Sequence, residues 1–226
     1  MFAGGPRSRL IGRAMEPTIE IPDDLCFVPW SDERRRTHLE ETLAQAPDPD
    51  GIWVFGYGSL IWDPRFEPLE TRIAKLDAHR RSFCFWTTIG RGTPEQPGLG
   101  LAVVPGEDPV DGLAYLLDPN GLDDVLEALW LREMRAGVYH AEWKRMHTPE
   151  GDVHGIVYVA NESHPNFAGD IPLEEQARIM SKAKGPRGWS YEYLENLVQE
   201  FERLGIDDSY HAALYDRIME IVGVRV

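Results

Sequence analysis

The stretch Val54-Phe55-Gly56-Tyr57-Gly58-Ser59-Leu60-Ile61-Trp62 contains the strongest structural signal of the chain. The apolar run from Ile52 to Phe55 is typical of a β-strand, and it breaks abruptly into glycines. Glycine permits backbone conformations that other residues resist, and it lets a ligand approach the main chain closely. Such a turn leaves N–H groups that can converge on a carboxylate or a developing oxyanion. The alternative is an ordinary β-turn without a ligand.

Composition and charge place the chain among ordinary globular proteins. Of its 226 residues, 42% are hydrophobic and 27% are charged. The net charge of −15 argues against nucleic-acid binding, because phosphate neutralisation needs clustered Lys and Arg. The basic run Arg34-Arg35-Arg36 is flanked by acidic residues, which is typical of a solvated helix face. We therefore predict no nucleic-acid partner.

The cysteines and apolar runs indicate a compartment. Cys26 and Cys84 provide neither a disulfide framework nor a metal-ligand spacing, and the apolar surroundings of Cys84 predict a buried, inert thiol. No apolar stretch approaches the length of a membrane span, and residues 1–30 lack the apolar region of a signal peptide. These features predict a cytoplasmic protein that makes no membrane contact. The scattered histidines show no metal-binding spacing, so we expect no metal site.

The first fifty residues differ from the rest, and we predict that residues 1–50 form an N-terminal extension. Met1 to Pro22 is rich in Gly, Pro and Arg and predicts a loosely ordered arm. Ser31 to Ala46 predicts a short polar helix with Ser31 as its N-cap. The Pro-Asp-Pro-Asp-Gly run at 47–51 marks the boundary before a second unit, residues 51–226.

The second unit begins with strands and ends in helices. Strands are predicted at 52–55, 82–87, 99–104, 112–117, 139–146 and 153–159. A helix is predicted from Asn120, as its cap, to about Arg135. From Leu173 onwards the apolar period is helical, and one long stripe ends at Gly205, a natural helix stop. Strands that precede helices without regular alternation predict an α+β fold with a helical C-terminal third.

The helix that follows Asn120 carries an unusual acid. Leu122, Leu126 and Leu129 recur at helical spacing and define one face, and the next position on that face is Glu133. In one interpretation Glu133 emerges at the rim and pairs with a basic neighbour such as Arg132. In the other it projects into a pocket beside the glycine loop, where partial desolvation raises its pKa and makes it a better base.

Several ordered blocks of the sequence resemble one family. The stretch from Val54 to Trp62 is similar to the signature of the ChaC group of γ-glutamylcyclotransferases, which act on glutathione. The other similar blocks are His79-Arg80-Arg81-Ser82-Phe83-Cys84, Gly90-Arg91-Gly92-Thr93-Pro94, Leu129-Trp130-Leu131-Arg132-Glu133-Met134, and Gly185-Pro186 with Gly188, Tyr191 and Tyr193-Leu194. The resemblance covers roughly residues 51–222. It implies a small γ-glutamylcyclotransferase-like mixed β-barrel with surrounding helices.

The resemblance also implies a reaction and a site. The α-amine of a γ-glutamyl group attacks its own γ-carbonyl, which closes 5-oxoproline and releases Cys-Gly from glutathione without a cofactor. Glu133 aligns with the acid/base of the family, which favours the pocket interpretation. The substrate site of the family maps onto Val54, Phe55, Gly56, Tyr57, Gly58 and Ser59, with Leu60 adjoining. The N–H groups at 57–60 suit either the oxyanion or the substrate α-carboxylate.

Two further groups are candidates for substrate binding. Arg80 and Arg81 are adjacent on a predicted strand and point to opposite faces, so at most one faces the pocket, and we assign Arg81. Tyr158 either supplies a hydroxyl to the γ-glutamyl end of the substrate or is an ordinary half-buried tyrosine of the sheet.

Two other functions stay open at this stage. One is a cyclotransferase for other γ-glutamyl amino acids or amines. The other is a soluble regulator that binds a cation antiporter, since ChaC-like proteins have carried such a label. The chain has no basic amphipathic helix that would support membrane attachment. Nothing in the sequence indicates an oligomeric state.

Overall fold

The computed structural model describes residues 19, 21, 22, 25, 27–47 and 51–223. Cys26 and most of the predicted arm from Met1 to Pro22 lie outside them. The helices are α1 (Asp32–Leu43), α2 (Leu122–Glu133), α3 (Leu173–Lys182), α4 (Ser190–Leu204) and α5 (Ser209–Val222). The strands are β1 (Trp53–Gly56), β2 (Glu70–Leu76), β3 (His79–Thr87), β4 (Gly98–Pro105), β5 (Val110–Leu116), β6 (Tyr139–Met146), β7 (Val153–Ala160), β8 (Lys184–Gly185) and β9 (Gly188–Trp189).

Seven of these strands form one curled sheet, in which β2, β5, β1, β7, β4 and β3 are neighbours in that order and β6 pairs with β7. Strand β7 runs parallel to β1 and β4, and the other pairings are antiparallel. A bridge between Lys75 and His147 brings β2 against the end of β6. The predicted mixed α+β fold, with a barrel-like sheet and helices around it, is confirmed.

The pairing of β7 explains where the glycine loop leaves the sheet. Strand β1 pairs with β7 at Gly155 and Ile156, whereas β4 pairs with β7 at Val159. Strands β1 and β4 therefore pair with β7 one after the other. The chain leaves the sheet after Gly56, beside β7 and close to the point where β4 becomes the neighbour of β7. Strand β1 itself lies in the hydrophobic core, because Val54 and Phe55 are fully buried.

The ends of the helices confirm most predictions and correct one. Ser31 caps α1, since its hydroxyl accepts from the Arg34 N–H at 3.2 Å. Gly205 ends α4 in the left-handed conformation, as predicted. The predicted cap of α2 was wrong: Gly121, at φ 87°, begins the helix, and Asn120 instead binds the Asp118 carboxylate through its backbone N–H at 2.8 Å.

Strand β2 was not predicted. Its exposed positions alternate with partly or fully buried ones, and besides its pairing with β5 it has, among the described residues, only the bridge from Lys75 to His147. Only Ala74 and Leu76 are buried, so the strand lacks the run of apolar residues that marks a central strand.

Candidate active site

The glycines of the loop provide space rather than unusual backbone angles. Neither Gly56 nor Gly58 has a positive φ. A Cβ atom at Gly58 would lie 2.6 Å from the Tyr193 hydroxyl oxygen, and one at Gly56 would lie 2.8 Å from the Tyr115 ring. The expectation of special backbone conformations was therefore wrong at these two positions, and close approach of tyrosine side chains is the reason for glycine.

Some backbone N–H groups of the loop have acceptors within the protein, and others are available to a ligand. The Ser59 N–H donates to the Tyr193 hydroxyl at 3.0 Å, and the Ile61 N–H donates to the Gly58 carbonyl at 2.8 Å. Among the described residues, no acceptor is found for the N–H groups of Gly58 and Leu60. These two amides are the candidate donors to an anion, whereas the Ser59 amide is already engaged.

Glu133 is the last residue of α2, and its side chain is only 14% exposed. Its Oε1 atom lies 2.9 Å from Arg132 Nε. Burial raises the pKa of Glu133, and the Arg132 charge partly opposes that rise. Both sequence interpretations contribute: the acid has the predicted basic neighbour, and it is also largely withdrawn from water. A carboxylate with a raised pKa is suited to accept and return a proton.

The charge of Glu133 acts on four buried tyrosines. For each one burial is the main cause of a raised pKa, and the charge of Glu133 adds to the rise: Tyr57, Tyr139, Tyr158 and Tyr193. Tyr57 donates to the Tyr158 carbonyl at 2.6 Å, and Tyr139 donates to the Leu101 carbonyl at 2.8 Å. Tyr158 is 1% exposed and its hydroxyl has no partner among the described residues. It is therefore the hydroxyl in this group that is left for a ligand.

Arg132 links the glycine loop to the carboxylate. Its Nη2 atom donates to the Ser59 hydroxyl at 2.7 Å, and its Nη1 atom donates to the Asp63 carbonyl. The same guanidinium contacts Glu133 through Nε. The sequence offered Arg132 only as a neutralising neighbour. Its role at the loop depends on a contact across 73 positions, which spacing along one helix cannot reveal.

Arg81 is placed behind the loop. Its Nε atom donates to the Tyr57 carbonyl at 3.0 Å, Nη1 donates to Asp208 at 2.9 Å, and Nη2 donates to the Asp111 carbonyl. The guanidinium thus holds the loop through Tyr57, and each of its three nitrogens has a partner within the protein. Arg80 faces the other way, as strand alternation predicts, and forms an exposed ion pair with Asp170.

The remaining sequence-predicted groups are also placed. Val54 and Phe55 have buried side chains in β1, so they support the loop from within the core, and Leu60 is buried at its far end. The Cys84 thiol is buried, and burial raises its pKa to about 12, in agreement with an inert core cysteine. Within the described ranges, no cluster of three or more His, Cys, Asp or Glu side chains suits a metal ion. No described helix is long and apolar enough to span a membrane.

Comparisons with known proteins identify relatives of this chain. The sequence model of the ChaC-like protein family matches residues 52–221. A protein of Escherichia coli K12 named glutathione-specific gamma-glutamylcyclotransferase is 39% identical over 180 residues, which are 79% of this chain and 78% of the relative. Gamma-glutamylcyclotransferase 2-3 of Arabidopsis thaliana is 33% identical over 181 residues, 76% of this chain and 90% of the relative.

A solved structure shows the same fold. The yeast γ-glutamylcyclotransferase specific to glutathione superposes with a TM-score of 0.68 at 24% identity, covering 75% of this chain and 96% of the yeast chain. The curled sheet with its surrounding helices is thus a γ-glutamylcyclotransferase fold. The chain belongs to the ChaC-like protein family, and the resemblance seen in its motifs is confirmed.

Proposed function

We propose that this protein is a glutathione-specific γ-glutamylcyclotransferase, which converts glutathione to 5-oxoproline and Cys-Gly. The observation that carries the proposal is the position of Glu133, a largely buried carboxylate linked to the glycine loop through Arg132. A relative named for this activity supports the choice of glutathione, at 39% identity over most of both chains.

The reaction needs little covalent chemistry from the protein. A bond forms between the α-amine nitrogen and the γ-carbonyl carbon, and the bond from that carbon to the cysteine nitrogen breaks. One proton moves from the attacking amine to the leaving nitrogen, and no water is consumed. Because nucleophile and electrophile lie in one molecule, the main task is to hold the γ-glutamyl chain in a ring-like conformation.

Glu133 is assigned the proton transfer. As a carboxylate it accepts the proton of the attacking amine, and as a carboxylic acid it returns that proton to the leaving nitrogen. The burial that raises its pKa brings the two protonation states closer in free energy near neutral pH. Arg132 opposes this rise in pKa, because its positive charge favours the ionised form of the carboxylate.

The loop is assigned the anionic parts of the substrate. The N–H groups of Gly58 and Leu60 are suited to the oxyanion or to the α-carboxylate, and either assignment uses the same two donors. The Tyr158 hydroxyl is assigned a hydrogen bond to the γ-glutamyl end, since it has no partner among the described residues. Arg81 is assigned the support of Tyr57 from behind, together with the buried Val54 and Phe55.

The organisation of the chain and its compartment are part of the same proposal. Residues 51–226 form the catalytic domain, and residues 1–50 form an extension outside it. We place the protein in the cytoplasm, because its two cysteines show no disulfide pattern.

Product analysis tests the choice of substrate. Purified protein is incubated in parallel with glutathione and with γ-glutamyl-alanine, and 5-oxoproline, Cys-Gly and alanine are measured by mass spectrometry. Product from glutathione alone supports the proposal. Product mainly from γ-glutamyl-alanine moves the activity to other γ-glutamyl compounds, and no product from either, with folded protein, contradicts the enzyme assignment.

A further inference from the structure

We propose that residues 27–47, which precede the part of the chain matched by the family, hold the catalytic helix α2 in position through Trp30 and His38. The inference rests on the proposed function, because α2 matters to catalysis only if Glu133 is the acid/base. It assigns His38 as a positioning residue, since that side chain acts on the site through another residue.

Two hydrogen bonds join this segment to α2. The Trp130 indole Nε1–H donates to His38 Nδ1 at 3.1 Å. The Trp30 backbone N–H donates to the Arg135 carbonyl at 2.8 Å, two residues beyond Glu133. Arg135 lies just beyond the C-cap residue Met134, so the second bond holds the chain at the point where it leaves α2. Both bonds lie within three positions of the catalytic carboxylate.

Packing around Trp30 makes the contact specific. The Trp30 ring lies 5.3 Å from the His38 ring, and the Arg34 guanidinium stacks on it at 4.1 Å. On the other side the ring lies against Gly137, where a Cβ atom would be only 2.6 Å from it. The segment is also anchored on β6, because the Trp143 indole donates to the Thr42 carbonyl at 2.7 Å.

Trp130 transmits the contact to the site. It is 1% exposed, and its ring packs edge-on against Tyr158 at 5.9 Å. Glu133 follows on the same helix, three positions later. A fixed position of the Trp130 indole therefore restrains both Tyr158 and Glu133. Closely packed side chains transmit such restraint, because small displacements create voids or clashes.

The His38 contact depends on pH. His38 accepts from Trp130 only while Nδ1 is unprotonated. Burial lowers the pKa of His38, Glu41 raises it, and His140 and Arg34 lower it. The contact is therefore fully present above the ordinary histidine pKa and is lost as pH falls through the lowered value.

Water reaches His38 from a surface groove of about 460 Å³. The groove is lined by Trp30, Ser31, Glu33, Arg34, Thr37, His38 and Glu41. Protonation of the ring therefore needs no opening of the core, and the groove places the acidic Glu33 and Glu41 and the basic Arg34 on the same side.

Four full-length proteins test the inference: the unchanged chain, His38→Ala, His38→Gln, and His154→Ala as a control on the exposed face of β7. Glutamine offers an oxygen acceptor to Trp130 and does not titrate. We measure kcat and KM for glutathione from pH 5 to 8, and hydrogen–deuterium exchange in residues 122–137. His38→Ala is expected to lower kcat about tenfold, the usual effect of one lost hydrogen bond, and to speed exchange at the end of α2.

The conservative variant provides the sharper readout. Near pH 7, His38→Gln is expected to have the kcat and the exchange rates of the unchanged chain. Below pH 6.5 it is expected to lose less activity than the unchanged chain, because glutamine does not titrate. Unchanged kcat or unchanged exchange in His38→Ala overturns the inference, even if the chain is an active cyclotransferase. If the protein without substitutions is folded but inactive on glutathione, the proposed function is contradicted, and with it the catalytic role of the contact. In that case the exchange data still show whether residues 27–47 dock on α2.

Discussion

Arg132 and Ser59 are joined by a hydrogen bond of 2.7 Å between Nη2 and Oγ, which fixes the glycine loop to the helix that carries Glu133. The same guanidinium contacts the Glu133 carboxylate at 2.9 Å. One side chain thus contacts both the glycine loop and the acid, and its charge lowers the pKa that burial raises. Replacing it should affect the rate and its pH dependence together.

Arg132→Met is expected to lower kcat/KM at least tenfold and to shift the acid limb of the pH profile upwards. Arg132 lowers the pKa of Glu133 against the effect of burial, so its removal raises that pKa and the carboxylate is protonated at higher pH. Arg132→Lys keeps the charge and loses the forked contact. The lysine variant should therefore retain the position of the acid limb with a reduced rate, and equal shifts in both variants would contradict this account.

Tyr158→Phe separates binding from stability. The hydroxyl has no partner among the described residues, so its removal should change the free energy of unfolding by less than about 1 kcal/mol. If it binds the γ-glutamyl end, KM should rise about tenfold. Tyr139→Phe is the matched variant, because its hydroxyl donates to the Leu101 carbonyl, and it should cost about 1 kcal/mol in urea unfolding. An unchanged KM in Tyr158→Phe would remove this residue from the substrate site.

Gly58→Ala tests whether the loop requires close approach. The added Cβ would lie 2.6 Å from the Tyr193 hydroxyl oxygen, and that oxygen accepts from the Ser59 N–H. We expect a destabilisation of about 1–3 kcal/mol and a loss of activity greater than tenfold. Gly100→Ala is the control, because its nearest neighbour would be 3.6 Å away.

The double variant Gly58→Ala with Tyr193→Phe decides whether the clash is the cause. Removing the hydroxyl should recover part of the lost stability, which a double-mutant cycle measures as a coupling energy. Strictly additive effects would show that the hydroxyl is not what excludes a side chain at position 58.

Arg81→Met is expected to destabilise the protein by about 3 kcal/mol, because Asp208, whose side chain is only 12% exposed, loses its arginine partner and keeps only His211. Burial alone would raise the pKa of Asp208, but His211 and Arg81 together hold it below its usual range. This contribution to stability is therefore present above the unfolded-state pKa of an aspartate and is lost as pH falls through the lowered value.

The control for Arg81 is its neighbour in β3. Arg80→Met breaks only the exposed pair with Asp170 and should cost under about 1 kcal/mol. Unfolding of both variants by urea at pH 7, and again below the ordinary aspartate pKa of 3.8, provides the comparison. An Arg81 variant as stable as the Arg80 variant would contradict the support assigned to it.

The sequence predicted the features that depend on short spacings. The apolar run that ends at Gly56 and the placement of Glu133 on the face of Leu126 and Leu129 are local patterns, and both are found in the structure. Motif blocks in order along the chain then indicated the family and with it the fold.

Features that depend on distant contacts could not be predicted in this way. Strand β2 has its place because β5 pairs with it, not because its own sequence is strongly β-type. Tyr193 contacts Ser59 across 134 positions, and Arg81 contacts Asp208 across 127. The roles of such residues appear only when the sheet and the helices are assembled.

Glu133 is the centre of the account, and Glu133→Gln measured beside Glu127→Gln tests it most directly. Both substitutions lie on α2, and Glu127 is exposed. Formation of 5-oxoproline from glutathione is followed for each variant, with circular dichroism and urea unfolding to show that the folds are intact. We expect kcat of Glu133→Gln to fall by about 10²–10⁴-fold, the usual contribution of general acid–base catalysis, and an unchanged rate for Glu127→Gln. A folded Glu133→Gln protein with near-normal turnover would contradict the assignment of this carboxylate as the proton-transfer group.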